Sequence, residues 1–92
     1  MELKAKPGNE SEVDAFLEKE AAIVRGEAGT LSWHAAKVEG EPGVYRIFDT
    51  FNDEAAREAH LNGEAGQELV ANAEKLFSVA PKVYQLQVVA QK

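Results

Sequence analysis

The run Val44-Tyr45-Arg46-Ile47-Phe48-Asp49-Thr50-Phe51 is the strongest constraint on what this chain can fold into. Aromatic and β-branched residues dominate it, so it reads as a strand, and successive side chains of a strand point to opposite faces. Tyr45, Ile47 and Phe51 then share one face, while Val44 and Phe48 lie on the other. A strand that is apolar on both faces needs cover on both. With 92 residues there is one domain and a thin core, because a chain of this size buries only about 60% of its unfolded surface. One layer of helices covers one face. The other is expected to meet a second copy, sheet against sheet, which makes the chain a homodimer.

The rest of the chain supplies the partners of that strand. Leu3 and Ala5 alternate with Glu2, Lys4 and Lys6, a short opening strand that Pro7-Gly8 ends. Asn9 or Ser11 caps the next segment, where Val13, Phe16, Leu17, Ala21 and Val24 form one helical stripe running to about Arg25. Gly26 and Gly29 stop it. Thr30 to Val38 reads as a strand that pairs with Val44 to Phe51 around the turn Gly40-Glu41-Pro42-Gly43. Asn52-Asp53-Glu54 starts a helix with Asn52 as its cap, and Ala55, Ala56, Ala59 and His60 form its inner stripe. Asn62-Gly63 interrupts, and Ala65, Leu69, Ala73, Leu76 and Phe77 continue in helical register up to Pro81. Tyr84, Leu86, Val88 and Ala90 alternate with Gln85, Gln87 and Gln91 in a final strand.

The order β-α-β-β-α-β is the ferredoxin-like arrangement. It predicts an α+β fold in which one domain, residues 1–92, carries a four-stranded antiparallel sheet with two helices on one face.

Composition narrows the function classes. The absence of Cys removes disulfides, thiolate nucleophiles and Cys-based metal sites. Sixteen acids against ten Lys and Arg give a net charge of −6, which argues against a nucleic-acid partner, since phosphate binding needs clustered positive charge. No apolar run approaches the roughly 20 residues that span a bilayer, and no leader pattern opens the chain. No membrane association and a cytoplasmic location are the expectations. No Gly-rich loop follows a strand to cradle a nucleotide cofactor. His34 and His60 have no metal-ligand spacing, so no metal is expected. Ser32, Ser78, His60 and Asp49 include the residue types of a hydrolytic triad, but without a nucleophile elbow.

Two polar residues stand where apolar ones are expected. His60 follows Ala56 at helical spacing and so points toward the sheet. There it is either a partly desolvated, neutral base or a helix-end histidine that bonds a carbonyl before Gly63. Asp49 shares a face with Ile47 and Phe51, so it sits at the sheet edge or is buried with a partner. Trp33, Tyr45, Phe48 and Phe51 are core aromatics by default, and in the functional reading they wall an apolar cavity for a planar ring.

Lys6-Pro7-Gly8 before an amphipathic helix, Glu27-Ala28-Gly29-Thr30-Leu31 before a strand, and Ile47-Phe48-Asp49-Thr50-Phe51 followed by Asp53-Glu54-Ala55 and Ala59-His60-Leu61 resemble the antibiotic biosynthesis monooxygenase (ABM) domain over essentially the whole chain. The resemblance implies a dimeric α+β barrel. It also implies a cofactor-independent monooxygenase that deprotonates a phenol-, quinol- or anthrone-like aromatic, whose anion then gives an electron to O₂. In that case His60 corresponds to the family's helix histidine, Asp49 to an acid late in the third strand and Phe51 to the aromatic after it. Haem-degrading relatives carry an Asn on the first strand and a Trp near the end of the third. Leu3-Lys4-Ala5-Lys6 and Phe51 stand there instead, which disfavours haem degradation.

The leading expectation is therefore a small oxygenase without a cofactor. Its catalytic residues are His60 and Asp49, its substrate wall Trp33, Tyr45, Phe48 and Phe51, and its partners a small aromatic, O₂ and a second copy. The alternative is a non-catalytic ligand-binding or structural dimer of the same fold.

Overall fold

β3 (Val44–Phe51) is the centre of the sheet. A computed structural model describes all 92 residues. β3 pairs antiparallel with β1 (Glu2–Lys4) on one side and β2 (Thr30–Lys37) on the other. Three helices complete the chain: α1 (Glu10–Val24) between β1 and β2, then α2 (Glu54–Asn62) and α3 (Glu64–Leu76) after β3. The helices pack on the face that carries Leu3, Tyr45 and Ile47. There Val13, Phe16 and Leu17 of α1 join Ala5, Leu76 and Phe77 in one core.

On the opposite face nothing covers β3. Phe48 is 48% exposed and pairs across the sheet with exposed His34. Trp33, one residue earlier, faces the helices opposite Asp49.

The ferredoxin-like α+β order is present, but two features of the expected layout differ. First, the sheet has three strands rather than four. After α3 the chain runs beside β1 through a bridge at Phe77–Ala5 and a reciprocal pair of backbone bonds between Glu2 and Lys82, 2.8 and 3.0 Å. It then leaves the sheet. β1 is only three residues long, and Ser78 and Lys82 already bond its Lys4 and Glu2. Its outer edge is used before Tyr84 is reached, and the alternating row Tyr84, Leu86 and Val88 stays outside the sheet and exposed. Second, the second helical region is two helices. Gly63 takes an extended backbone between them, and Gly66 allows the kink, because a Cβ there would fall on the Leu61 carbonyl oxygen.

Helix starts follow local chemistry with small offsets. The cap of α2 is Asp53, not Asn52: its carboxylate accepts the Ala56 amide at 2.8 Å. Asn9 precedes α1 without a side-chain cap and instead donates to the Lys75 carbonyl at the far end of α3. Ala55 and Ala59 lie on the solvent side of α2, leaving Ala56 and His60 to face inward.

Candidate active site

The site depends on a close backbone approach. Where the α1–β2 turn crosses α2, Gly29 lies so near that a Cβ on it would stand 2.7 Å from the Ala56 Cβ. The Asn52 amide, at the β3–α2 junction, donates to the Gly29 carbonyl at 3.1 Å. Held this way, the turn carries Glu27 to His60 one helical turn after Ala56. Glu27 Oε1 lies 2.6 Å from His60 Nδ1 and accepts from Thr30 Oγ1 at 2.8 Å. Asp49 comes from β3, with its Oδ2 3.4 Å from His60 Nε2. The Phe51 ring lies tilted against the imidazole, 5.3 Å between centroids.

His60 is therefore a ring between two carboxylates, one gripping each nitrogen to a different degree. The 2.6 Å contact at Nδ1 is a short charge-assisted bond, whereas 3.4 Å at Nε2 is near the limit of bonding distance. Asp49 raises the imidazole pKa above its ordinary value and Glu27 adds to the rise, outweighing a burial that favours the neutral ring. The neutral state expected from desolvation alone is thus corrected: the two acids favour the imidazolium. Nor does the side chain bond a helix-end carbonyl, since both nitrogens are engaged by carboxylates.

A cavity of about 190 Å³ opens beside this pair, with Trp33, Asp49, His60 and Glu20 in a wall otherwise mostly of aliphatic residues from α1, α2 and α3. A larger open cleft of about 530 Å³ lies between the end of β3 and Tyr84–Val88, and Asp49, Phe48 and Phe51 reach it. Asp49 lines both. Trp33 thus joins His60 and Asp49 at the inner cavity, and Phe48 and Phe51 line the outer cleft. Tyr45 is brought to neither. Its hydroxyl donates to Asp14 at 2.8 Å on the far side of the core, where burial and that bond push its pKa to about 12. It is a fixed donor under α1. No three His, Asp or Glu side chains converge closely enough to hold a metal ion.

Two acids of the site were not singled out from sequence. Glu27 carries no local signal, because its contact with His60 spans 33 residues. Glu20 does carry one: Val13, Leu17, Glu20 and Val24 follow four-, three- and four-residue steps, so an acid is written into an apolar stripe. It is 4% exposed, with its Oε1 bonded to nothing. Burial, with Glu68 and Glu27 adding repulsion, pushes its pKa up to about 7 against the pull of His60 and Lys19.

Both shifts make the fold sensitive to alkali. A raised His60 pKa contributes stability that is full below about pH 6.5 and lost as pH rises through the raised value. Glu20 acts in the same direction between pH 4.5 and about 7. Followed by NMR of the imidazole, His60 is expected to titrate above its ordinary pKa and to fall back in Glu27→Gln. Gly29→Ala, which pushes the turn off α2, is expected to lower it too and to cost about 1–3 kcal/mol in thermal unfolding. A wild-type midpoint at or below the ordinary histidine value contradicts the two-carboxylate arrangement.

Comparison with known proteins agrees with this architecture. The profile of the family described as antibiotic biosynthesis monooxygenase matches residues 1–72. A crystal structure of a protein of unknown function from Nitrosomonas europaea is 40% identical, with a TM-score of 0.92 over 99% of this chain and 86% of that one. Another, described as an antibiotic biosynthesis monooxygenase, shares the fold at 19% identity and a TM-score of 0.85, covering 97% of this chain and 94% of its own. A Pseudomonas aeruginosa protein shares it at 24% identity and a TM-score of 0.76, over 94% of this chain and 89% of that one. No curated protein matches the sequence. No helix here is long and apolar enough to cross a membrane. On the family match, which takes in three-quarters of its length, the chain belongs to the antibiotic biosynthesis monooxygenase family.

Proposed function

We infer that this protein is a cofactor-independent monooxygenase acting on a small, planar phenol- or quinol-like aromatic. The observation that carries the reading is the meeting of His60, Asp49 and Trp33 at one small apolar cavity. Its volume, about 190 Å³, is near that of the ~150 Å³ engineered cavity that takes benzene, so a single ring suits it.

His60 Nε2 is the working nitrogen. Glu27 fixes the ring through the short bond at Nδ1, which sets the tautomer that leaves Nε2 able to take a proton. The longer Asp49 contact is one that a ligand hydroxyl can displace or share. Transfer of the hydroxyl proton to Nε2 leaves a phenolate beside an imidazolium that two carboxylates stabilise. The electron-rich ring then passes one electron to O₂, and the radical pair recombines at a ring carbon. The peroxide anion so formed takes the proton back from His60 Nε2, and loss of water from this hydroperoxide, at a ring carbon that bears a hydrogen, turns that carbon into a carbonyl. One oxygen atom stays in the product and the other leaves as water, with no external reductant.

Oxygen uptake with a panel of substituted phenols and quinols tests this. Wild type is expected to show enzyme-dependent uptake whose kcat/KM rises with pH through the raised His60 pKa. His60→Ala is expected to lower it by about 10²-fold or more, and Asp49→Asn to lower it less. Ring binding without uptake across the panel supports the non-catalytic ligand-binding reading instead.

The reading includes a homodimer. The uncovered face of β3 around Phe48 and the exposed row Tyr84, Leu86 and Val88 support it, since a chain this small rarely leaves so much apolar surface in water. Light scattering is expected to give twice the 10.0 kDa chain mass. A concentration-independent monomer contradicts it.

A further inference from the structure

The inner cavity contains a polar group that the proton transfer above does not use. Glu20 projects from α1 into the same wall as Trp33, Asp49 and His60. Its side chain is almost wholly buried, and its Oε1 has no hydrogen-bond partner in the protein. A buried carboxyl oxygen left unbonded is costly, and the cost is removed only by a proton, a partner or both. The surroundings decide which. Glu68 faces it from α3 and Glu27 from the α1–β2 turn, both negative. His60 of α2 and Lys19 on its own helix are the opposing positive groups, while Asp49 lines the cavity from β3. Lys19 is drawn off toward Glu68, 3.5 Å away. Burial and the two acids outweigh the two cations, so the carboxyl tends to hold its proton. A protonated carboxyl is a hydrogen-bond donor, which none of the aliphatic wall residues is.

We propose that Glu20 binds the ligand of this cavity by donating a hydrogen bond from its protonated carboxyl to a carbonyl-type oxygen. The ring then carries a second oxygen function besides the hydroxyl that meets His60 and Asp49. The proposal rests on the reading of the cavity as a ring-binding site and narrows its substrate class to phenolic rings with an acceptor oxygen, such as hydroxyaryl ketones. It requires no new reaction step. Glu20 selects and orients, and a plain alkylphenol leaves its carboxyl unsatisfied.

The test uses two probes that do not titrate, acetophenone and its planar apolar isostere α-methylstyrene. Binding is read from the fluorescence of Trp33, the one tryptophan, which lines the cavity. At about pH 5.5 wild type is expected to bind acetophenone about 5- to 10-fold more tightly than α-methylstyrene, the worth of one hydrogen bond. The preference is expected to fall toward unity by about pH 8.5, as Glu20 loses its proton. Glu20→Gln, whose amide donates at every pH, is expected to keep the preference across that range. Glu20→Leu is expected to lose it throughout. If Glu20→Leu does not fold, the contrast between a pH-dependent wild type and a pH-independent Glu20→Gln still decides the matter.

A preference unchanged in Glu20→Leu, or a wild-type preference that does not vary with pH, overturns the proposal while leaving the His60–Asp49 reading intact. Failure of both probes to perturb Trp33 in wild type overturns the proposal together with the ring-binding reading.

Discussion

The imidazole of His60 lies between Glu27 and Asp49, and most of what distinguishes this fold serves to hold it there. Glu27 comes from the turn after the first helix, Asp49 from the central strand and His60 from the last turn of α2. Bringing three such segments within bonding distance needs a backbone that can pass very close to a helix, which Gly29 provides against Ala56. It also needs α2 to start where Asp53 caps it, because a shift of one residue would rotate His60 by about 100° away from the sheet. Capping, turn chemistry and the site's electrostatics are thus one problem rather than three. Glu27 grips one nitrogen and Asp49 loosely approaches the other, so the ring has a tightly held side and a loosely held one.

The thinness of the chain shapes what surrounds that site. Helices cover one face of the sheet and leave the face of Phe48 open. The last ten residues leave the sheet once the short edge of β1 is used. Their apolar row runs beside the cleft that Asp49, Phe48 and Phe51 line, and Val83 reaches the inner cavity itself.

Much of the fold was legible because it rests on periodicity. The two-faced pattern of β3, the stripe of α1 and the hairpin around Gly40–Gly43 are local signals, and each element formed where its pattern stood. The fourth strand was misread because alternation shows that a segment can be a strand, not that an edge is free to take it. At the site, His60 and Asp49 were legible as polar residues on apolar faces, and the structure makes each the other's neighbour. Tyr45 looked equally suited to a cavity wall, yet its hydroxyl is anchored to Asp14, a partner 31 residues away that no local pattern connects to it. The contact of Glu27 with His60, 33 residues away, was hidden for the same reason. Glu20 was readable as an acid in an apolar stripe, but Glu18 beside it is ordinary surface, and only the depth of the helix face separates the two.

The central claim is that the cavity beside His60 takes the proton of a phenol. The visible absorption of bound 4-nitrophenol measures this most directly, because the phenolate is coloured and the phenol is not. At a pH just below the probe's own pKa, the account predicts that binding turns on the phenolate band in wild type but not in His60→Ala. A probe that quenches Trp33, and so is bound, yet remains the colourless phenol would contradict it.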